Sequence, residues 1–246
     1  MLHASAALAL TLALQTTPAP PPEAAPLPPD KPIEHIFQNL GHDIVHLPSL
    51  DTLAIAGGGV LVAALAHGAD DRVATWAADR GPADYTSAGR RLGDGWTQGG
   101  AALATYGIGL VTRDRMTIHV GSDLIRAQVL NAVLTRGIKL VAQRDRPGGS
   151  SDSMPSGHTT ATFATATVLQ EHFGWKAGVP AFALGAFTGW TRIRDHAHWL
   201  SDVLVGASVG IVAGHTVTAG HRGRPWTIVP VASGQMTAIY VVRVGR

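Results

Sequence analysis

Four stretches of the chain, 52–69, 95–112, 153–170 and 203–221, contain no Asp, Glu, Lys or Arg. Ala, Gly, Val, Leu and Thr dominate them, a composition suited to buried helices that pack closely through small residues. A membrane-spanning helix needs about 20 predominantly apolar residues, and these runs only reach that margin. The mean hydropathy of +0.15 is low for a chain that is mostly embedded in lipid. A compact helical domain outside the bilayer is therefore the expectation, with a multi-span membrane protein as the alternative.

The remaining segments extend the helical pattern. Ile36, Phe37, Leu40, Ile44 and Leu47 recur at roughly helical spacing before Pro48. The stretch from Asp70 to Gly95 is polar, with Gly81–Pro82 as a breaker, and reads as a short helix with loop. Ser122 is a candidate cap for a helix carrying Leu124, Ile125, Val129, Leu130, Val133 and Leu134 on one side. Segments 156–170, 177–190 and 195–219 complete the set. The fold class expected is all-α: a compact bundle of about six helices with the site between them, plus a short C-terminal β-hairpin. Trp226–Val231 and Thr237–Val242 carry the hairpin signal, β-branched and aromatic runs around a Gly-containing turn.

At the start, residues 1–14 are Ala- and Leu-rich and uncharged, like the apolar core of an export signal. Eight of the fifteen residues from Pro18 to Pro32 are proline, which makes an extended linker. Three parts follow: a signal-like segment with its linker (1–32), a helical domain (33–222) and a hairpin tail (223–246). The expected location is exported, in the periplasm or cell envelope, with contact at a membrane surface. A formal net charge of +2 and the lack of a Lys/Arg-rich run argue against a nucleic-acid partner. With no cysteine, disulfides and thiolate metal sites are excluded.

The chemistry is concentrated between Lys139 and Asp202. Lys139, Arg146 and Arg192 are three cations that suit an anion with several oxygens, phosphate above all. Lys139 lies two turns before Arg146, and Pro147 is the expected helix stop. Pro155-Ser156-Gly157-His158 can open a helix, with Ser156 as N-cap and Gly157 letting backbone N–H groups approach an anion. His198 has Asp202 at i+4, one helical turn away, so a carboxylate can orient the imidazole. His196 has Leu200 at i+4 instead and is read as structural. Taken singly, each piece has an ordinary use: turn and cap, solvated basic face, satisfied His–Asp pair.

Order and spacing carry more. Lys139-(six)-Arg146-Pro147, Pro155-Ser156-Gly157-His158 and Arg192-(five)-His198-(three)-Asp202 resemble the three-part signature of the type 2 phosphatidic acid phosphatase and vanadium haloperoxidase superfamily. Thr191 stands where that family usually has Ser before the Arg, and a hydroxyl is kept. The resemblance implies an all-helical phosphatase that uses no metal or other cofactor. It implies His198 as nucleophile through a phosphohistidine, Asp202 as its orienting carboxylate and His158 as acid and base. Lys139, Arg146, Ser156, Gly157 and Arg192 would bind the phosphate. The substrate class is phosphomonoesters or diphosphates, with lipid phosphates such as phosphatidate or polyprenyl diphosphate favoured. A vanadate-dependent haloperoxidase and a non-catalytic helical envelope protein are the alternatives.

Overall fold

The computed structural model describes residues 34–80, 84–219, 226–233 and 236–243. The signal-like segment, the proline-rich linker, the Gly81–Pro82 breaker and the turn of the expected hairpin lie outside these residues. Among the described residues the fold is helical: α1 (Glu34–His46), α2 (Leu50–His67), α3 (Asp70–Ala78), α4 (Thr86–Gly93), α5 (Gly95–Thr112), α6 (Arg115–Ala142), α7 (Gly157–Phe173), α8 (Trp175–Arg194) and α9 (Leu200–Thr218). Nine helices stand where about six were expected, partly because the polar stretch after Asp70 holds two short ones, α3 and α4. Further along, the backbone forms two antiparallel strands, β1 (Trp226–Ser233) and β2 (Met236–Arg243), with Trp226 opposite Arg243.

Local chemistry sets the boundaries. Ser49 caps α2 by accepting from the Thr52 N–H at 3.2 Å. Asp114, not Ser122, starts α6: its carboxylate accepts from the Thr117 N–H at 3.0 Å, so the helix begins eight residues earlier than the sequence suggested. That helix ends at Ala142, where Gln143 turns left-handed at φ 43°. Arg146 is consequently on a loop and not two turns along a helix from Lys139. Likewise α8 ends at Arg194, and His196 at φ 51° turns the chain before α9 begins at Leu200.

The core is built from small residues. Ala102, Val120, Leu124, Ala127, Leu130, Ala164, Val168, Ala213 and Val217 form one buried cluster. Helices α7 and α9 run side by side in the same direction, in contact along a stripe of glycines. A Cβ on Gly210 would lie 2.4 Å from the Thr160 carbonyl oxygen, and one on Gly206 2.9 Å from that of Ser156. Helix α8 returns antiparallel along α7: Gly178 meets Gln170, Gly185 meets Phe163 and Gly189 meets Thr159. Antiparallel to α7 runs α6, joined by Gln128 to the Ala161 carbonyl at 3.0 Å and by Thr135 to Thr160 at 3.1 Å. Helix α2 lies antiparallel to α9, Ser208 donating to the Ile55 carbonyl at 3.0 Å. The starts of α7 and α9 and the ends of α2, α6 and α8 thus meet at one rim of the bundle. At the opposite rim, Arg126 is held between Asp43 and Asp123, and His172 contacts Asp123 at 2.8 Å.

Candidate active site

Every residue singled out from the sequence lies at or beside the first rim. Lys139 sits in the last turn of α6, with its ammonium donating to the Asp152 carbonyl. Arg146 is on the following loop, its Nε donating to the Ser151 carbonyl at 3.2 Å. Arg192, in the last turn of α8, is 4% exposed, pairs through one terminal nitrogen with Asp195 and leaves its buried Nε without a partner. Ser156 is the N-cap of α7 by position, yet its hydroxyl makes no cap bond; it accepts from Thr159 Oγ1 at 2.9 Å and keeps its own proton to donate. The Ser156 N–H donates to the Asp202 carbonyl at 3.1 Å, which ties the two parallel helix starts together. Gly157 opens α7, with Thr135 the nearest neighbour at 3.7 Å from a Cβ placed there.

His158 follows in the first turn of α7. Gly93, at the end of α4, seats against it: a Cβ there would fall 2.7 Å from that of His158. Burial, then the Arg192 charge and then His198 push the His158 imidazole down to about 4. Arg146 adds to this, so two of the three cations and both histidines lie within electrostatic reach of one another.

His198 is 4% exposed and lies in the turn before α9, not on the helix that carries Asp202. Its Nδ1 is 3.8 Å from Asp202 Oδ2, beyond hydrogen-bond reach, and has no other partner. Burial holds its pKa below the ordinary value of 6.5; Asp202 opposes this, and Arg146 and Lys139 reinforce it. With Nδ1 turned to Asp202, Nε2 is the nitrogen left for a ligand.

Asp202 is fully buried and saturated with donors. The Trp199 N–H reaches Oδ2 at 2.9 Å, the Ser153 hydroxyl donates to the same oxygen, and Arg144 donates to Oδ1 at 2.8 Å. Arg144 also reaches Asp70 at 2.8 Å and the Ser201 hydroxyl at 2.6 Å. Burial opposes ionisation of Asp70, but donors from Arg144, Ser201 and His67 outweigh it and hold its carboxyl below the usual range. Sequence reasoning missed Arg144, Asp70 and Ser153. The position of Arg144, two residues before Arg146, was the available signal. Asp70 had none, being 131 residues from its partner Ser201. The backbone carbonyl of His196 accepts from the Gly148 N–H at 3.1 Å. Among the described residues, no three His, Asp or Glu side chains gather as metal ligands.

Beside this rim a cavity of about 770 Å³ opens between α2, α6 and α9. Leu53, Val60, Leu134, Ile138, Val205 and Val209 line it, and His67 and Ser201 stand at its polar end. The expectation that the uncharged runs cover one another fails for α2: only 11% of it is buried, and Leu53, Val60, Leu61 and Leu65 are exposed. Helices α2 and α9 are each long and apolar enough to cross a membrane.

Residues 132–226 match the family model of the PAP2 superfamily. The lipid A 1-phosphatase of Porphyromonas gingivalis is 38% identical over 97 residues, which is 38% of this chain and 22% of that protein. The lipid A 4'-phosphatase of Helicobacter pylori is 28% identical over 80 residues, 32% of this chain and 40% of that protein. The matches therefore span less than half the length of either curated relative. Among solved structures, a transmembrane PAP2-type phosphatidylglycerolphosphate phosphatase from Bacillus subtilis superposes with a TM-score of 0.55 at 19% identity. That superposition covers 70% of this chain and 96% of the other, and the likeness is one of fold.

Proposed function

We propose, from the match of residues 132–226 to the PAP2 superfamily model, that the chain is a membrane-bound lipid phosphatase working without a metal through a phosphohistidine. The observation that supports this most is the single rim where Lys139, Arg146 and Arg192 surround buried His198 and half-buried His158. In this reading His198 Nε2 attacks phosphorus, forming an N–P bond as the bond to the leaving oxygen breaks. His158 donates its proton to that oxygen, then takes one from the water that splits the phosphohistidine. The three cations, the Ser156 hydroxyl and the Gly157 N–H stabilise the equatorial oxygens. His158 is held neutral in the free protein by burial and by Arg192. A bound phosphate sets negative charge against those cations and raises the imidazole into a range where it can carry the proton.

The substrate is a lipid-linked phosphate. The apolar cavity ending at Ser201 beside Asp202 supports this, as does the activity named for the two lipid A phosphatases. Helices α2 and α9 cross the bilayer, and the rim bearing the site opens on the periplasmic side. The test is phosphate release from lipid A, phosphatidate and p-nitrophenyl phosphate by the detergent-solubilised chain, with and without chelator. Release from a lipid substrate, unchanged by EDTA and abolished in His198→Ala with acid-labile phosphate lost, is the expected result. Full activity in His198→Ala, or loss with EDTA that a divalent ion restores, overturns the reading.

A further inference from the structure

We propose that Arg144 is a positioning residue that locks Asp202 from behind, with Asp70 as its counter-anchor, and that it does not bind the phosphate. The inference rests on the reading of His198 and Asp202 given above and adds to it a residue outside the recognised signature. By sequence Arg144 would count as a fourth phosphate cation, since it lies two residues before Arg146. Its geometry says otherwise. NH1 donates to Asp202 Oδ1 at 2.8 Å and to Ser201 Oγ at 2.6 Å, while NH2 donates to Asp70 Oδ2 at 2.8 Å. Both terminal nitrogens are thus committed to carboxylates, and a fork shared between two carboxylates has no free edge for bidentate binding of phosphate.

Asp70 is itself immobilised. It is 3% exposed and accepts from the Ser201 N–H at 2.9 Å and the Ser201 hydroxyl at 2.6 Å. Ser201 precedes Asp202, so Asp70 holds the backbone of the α9 start while Arg144 joins the two carboxylates. The other oxygen of Asp202 is fixed by Ser153 and the Trp199 N–H, and it is this oxygen that faces His198 Nδ1 at 3.8 Å. Arg144 therefore sets where the carboxylate stands and how much of its charge His198 feels. The other charged or titratable groups acting on His198 are Lys139 from α6, Arg146 from the loop and His158 from α7.

The experiment compares Arg144→Gln, Arg144→Lys and Asp70→Asn with the wild type, as full chains in detergent. Activity is read as kcat and KM on a lipid phosphate, phosphate-site integrity as inhibition by vanadate, and the state of His198 by NMR titration of its ring. In Arg144→Gln, kcat is expected to fall by about 10²-fold, the loss typical of a misplaced group, with KM and vanadate inhibition at wild-type values. The His198 titration moves to higher pH, because the Asp202 charge is no longer shared with a guanidinium. Arg144→Lys restores the titration but not kcat, since one ammonium cannot bridge two carboxylates. Asp70→Asn lowers kcat in the same sense.

Vanadate inhibition weakened in step with kcat would make Arg144 a phosphate ligand and overturn the proposal. An unmoved His198 titration in Arg144→Gln overturns it too. Should that variant fail to fold, wild-type kcat in Asp70→Asn is the overturning result. A wild type that releases no phosphate defeats the phosphatase reading, and the His198 titration then decides the lock independently of turnover.

Discussion

At the scale of single residues, burial has been used to tune two imidazoles whose ordinary pKa lies near neutrality. Loss of solvent and the charges of Arg146 and Lys139 favour the neutral form of His198, the form that the proposed nucleophile requires. Protonation therefore disables it only below the usual imidazole range. The acid limb of kcat/KM against pH should accordingly have its midpoint under 6.5, the ordinary histidine value; a midpoint above it would show Asp202 dominating instead. Asp202→Asn tests the carboxylate. Three donors converge on that side chain, so an amide there turns its own N–H groups against at least one of them. The variant should lose about 10²–10⁴ in rate and unfold at lower temperature than the wild type. Wild-type kcat would remove Asp202 from the proposed mechanism. The eight proposed site residues were legible from the sequence because their order matched a known signature. Their partners were not, because Arg144 and Ser153 meet Asp202, and Asp70 meets Arg144 and Ser201, only once α3, the loop and α9 have packed.

At the scale of elements, caps and left-handed turns decided what periodicity alone could not. Uncharged runs located α2, α5 and α7 closely, but Asp114 moved the start of α6 and Gln143 moved its end. The consequence for chemistry is direct: Arg146 and His198 lie on turns, where their positions depend on hydrogen bonds and not on helical register. Contact between α7 and α9 is the element-level condition for the site, because it sets the Ser156 N–H against the Asp202 carbonyl at 3.1 Å. Gly210→Ala should push these helices apart, a Cβ there falling 2.4 Å from a backbone oxygen. The expected loss is about 1–3 kcal/mol of stability, read from thermal unfolding in detergent, with activity falling alongside. Unchanged unfolding and activity would show that the glycine stripe is dispensable.

At the scale of the whole molecule, small residues inside and large apolar ones outside reverse the distribution that water favours. Leu61 and Leu65 of α2, Ile108 and Val111 of α5 and Val141 of α6 are each more than half exposed. In water such faces aggregate; in lipid they are matched. The full chain should therefore sediment with membranes, resist extraction by high salt or alkaline carbonate, and be released by detergent. Recovery in the soluble fraction would return the molecule to the compact domain suggested by its modest mean hydropathy. Inside the bundle, hydroxyls take up much of the contact surface, as with Thr159, Thr160, Thr188 and Thr191 at 0% exposure.

The alternating directions of α6, α7, α8 and α9 have an electrical consequence. Parallel α7 and α9 present their positive macrodipole ends at the rim, each equivalent to roughly half an elementary charge, while α6 and α8 present negative ends of similar size. Lys139 and Arg192 sit in the last turns of those two helices. Each cation thus neutralises the terminus of its own helix as well as facing the proposed phosphate site. Removing either leaves a negative helix end uncompensated, so the net charge at that point of the rim changes sign instead of falling to zero.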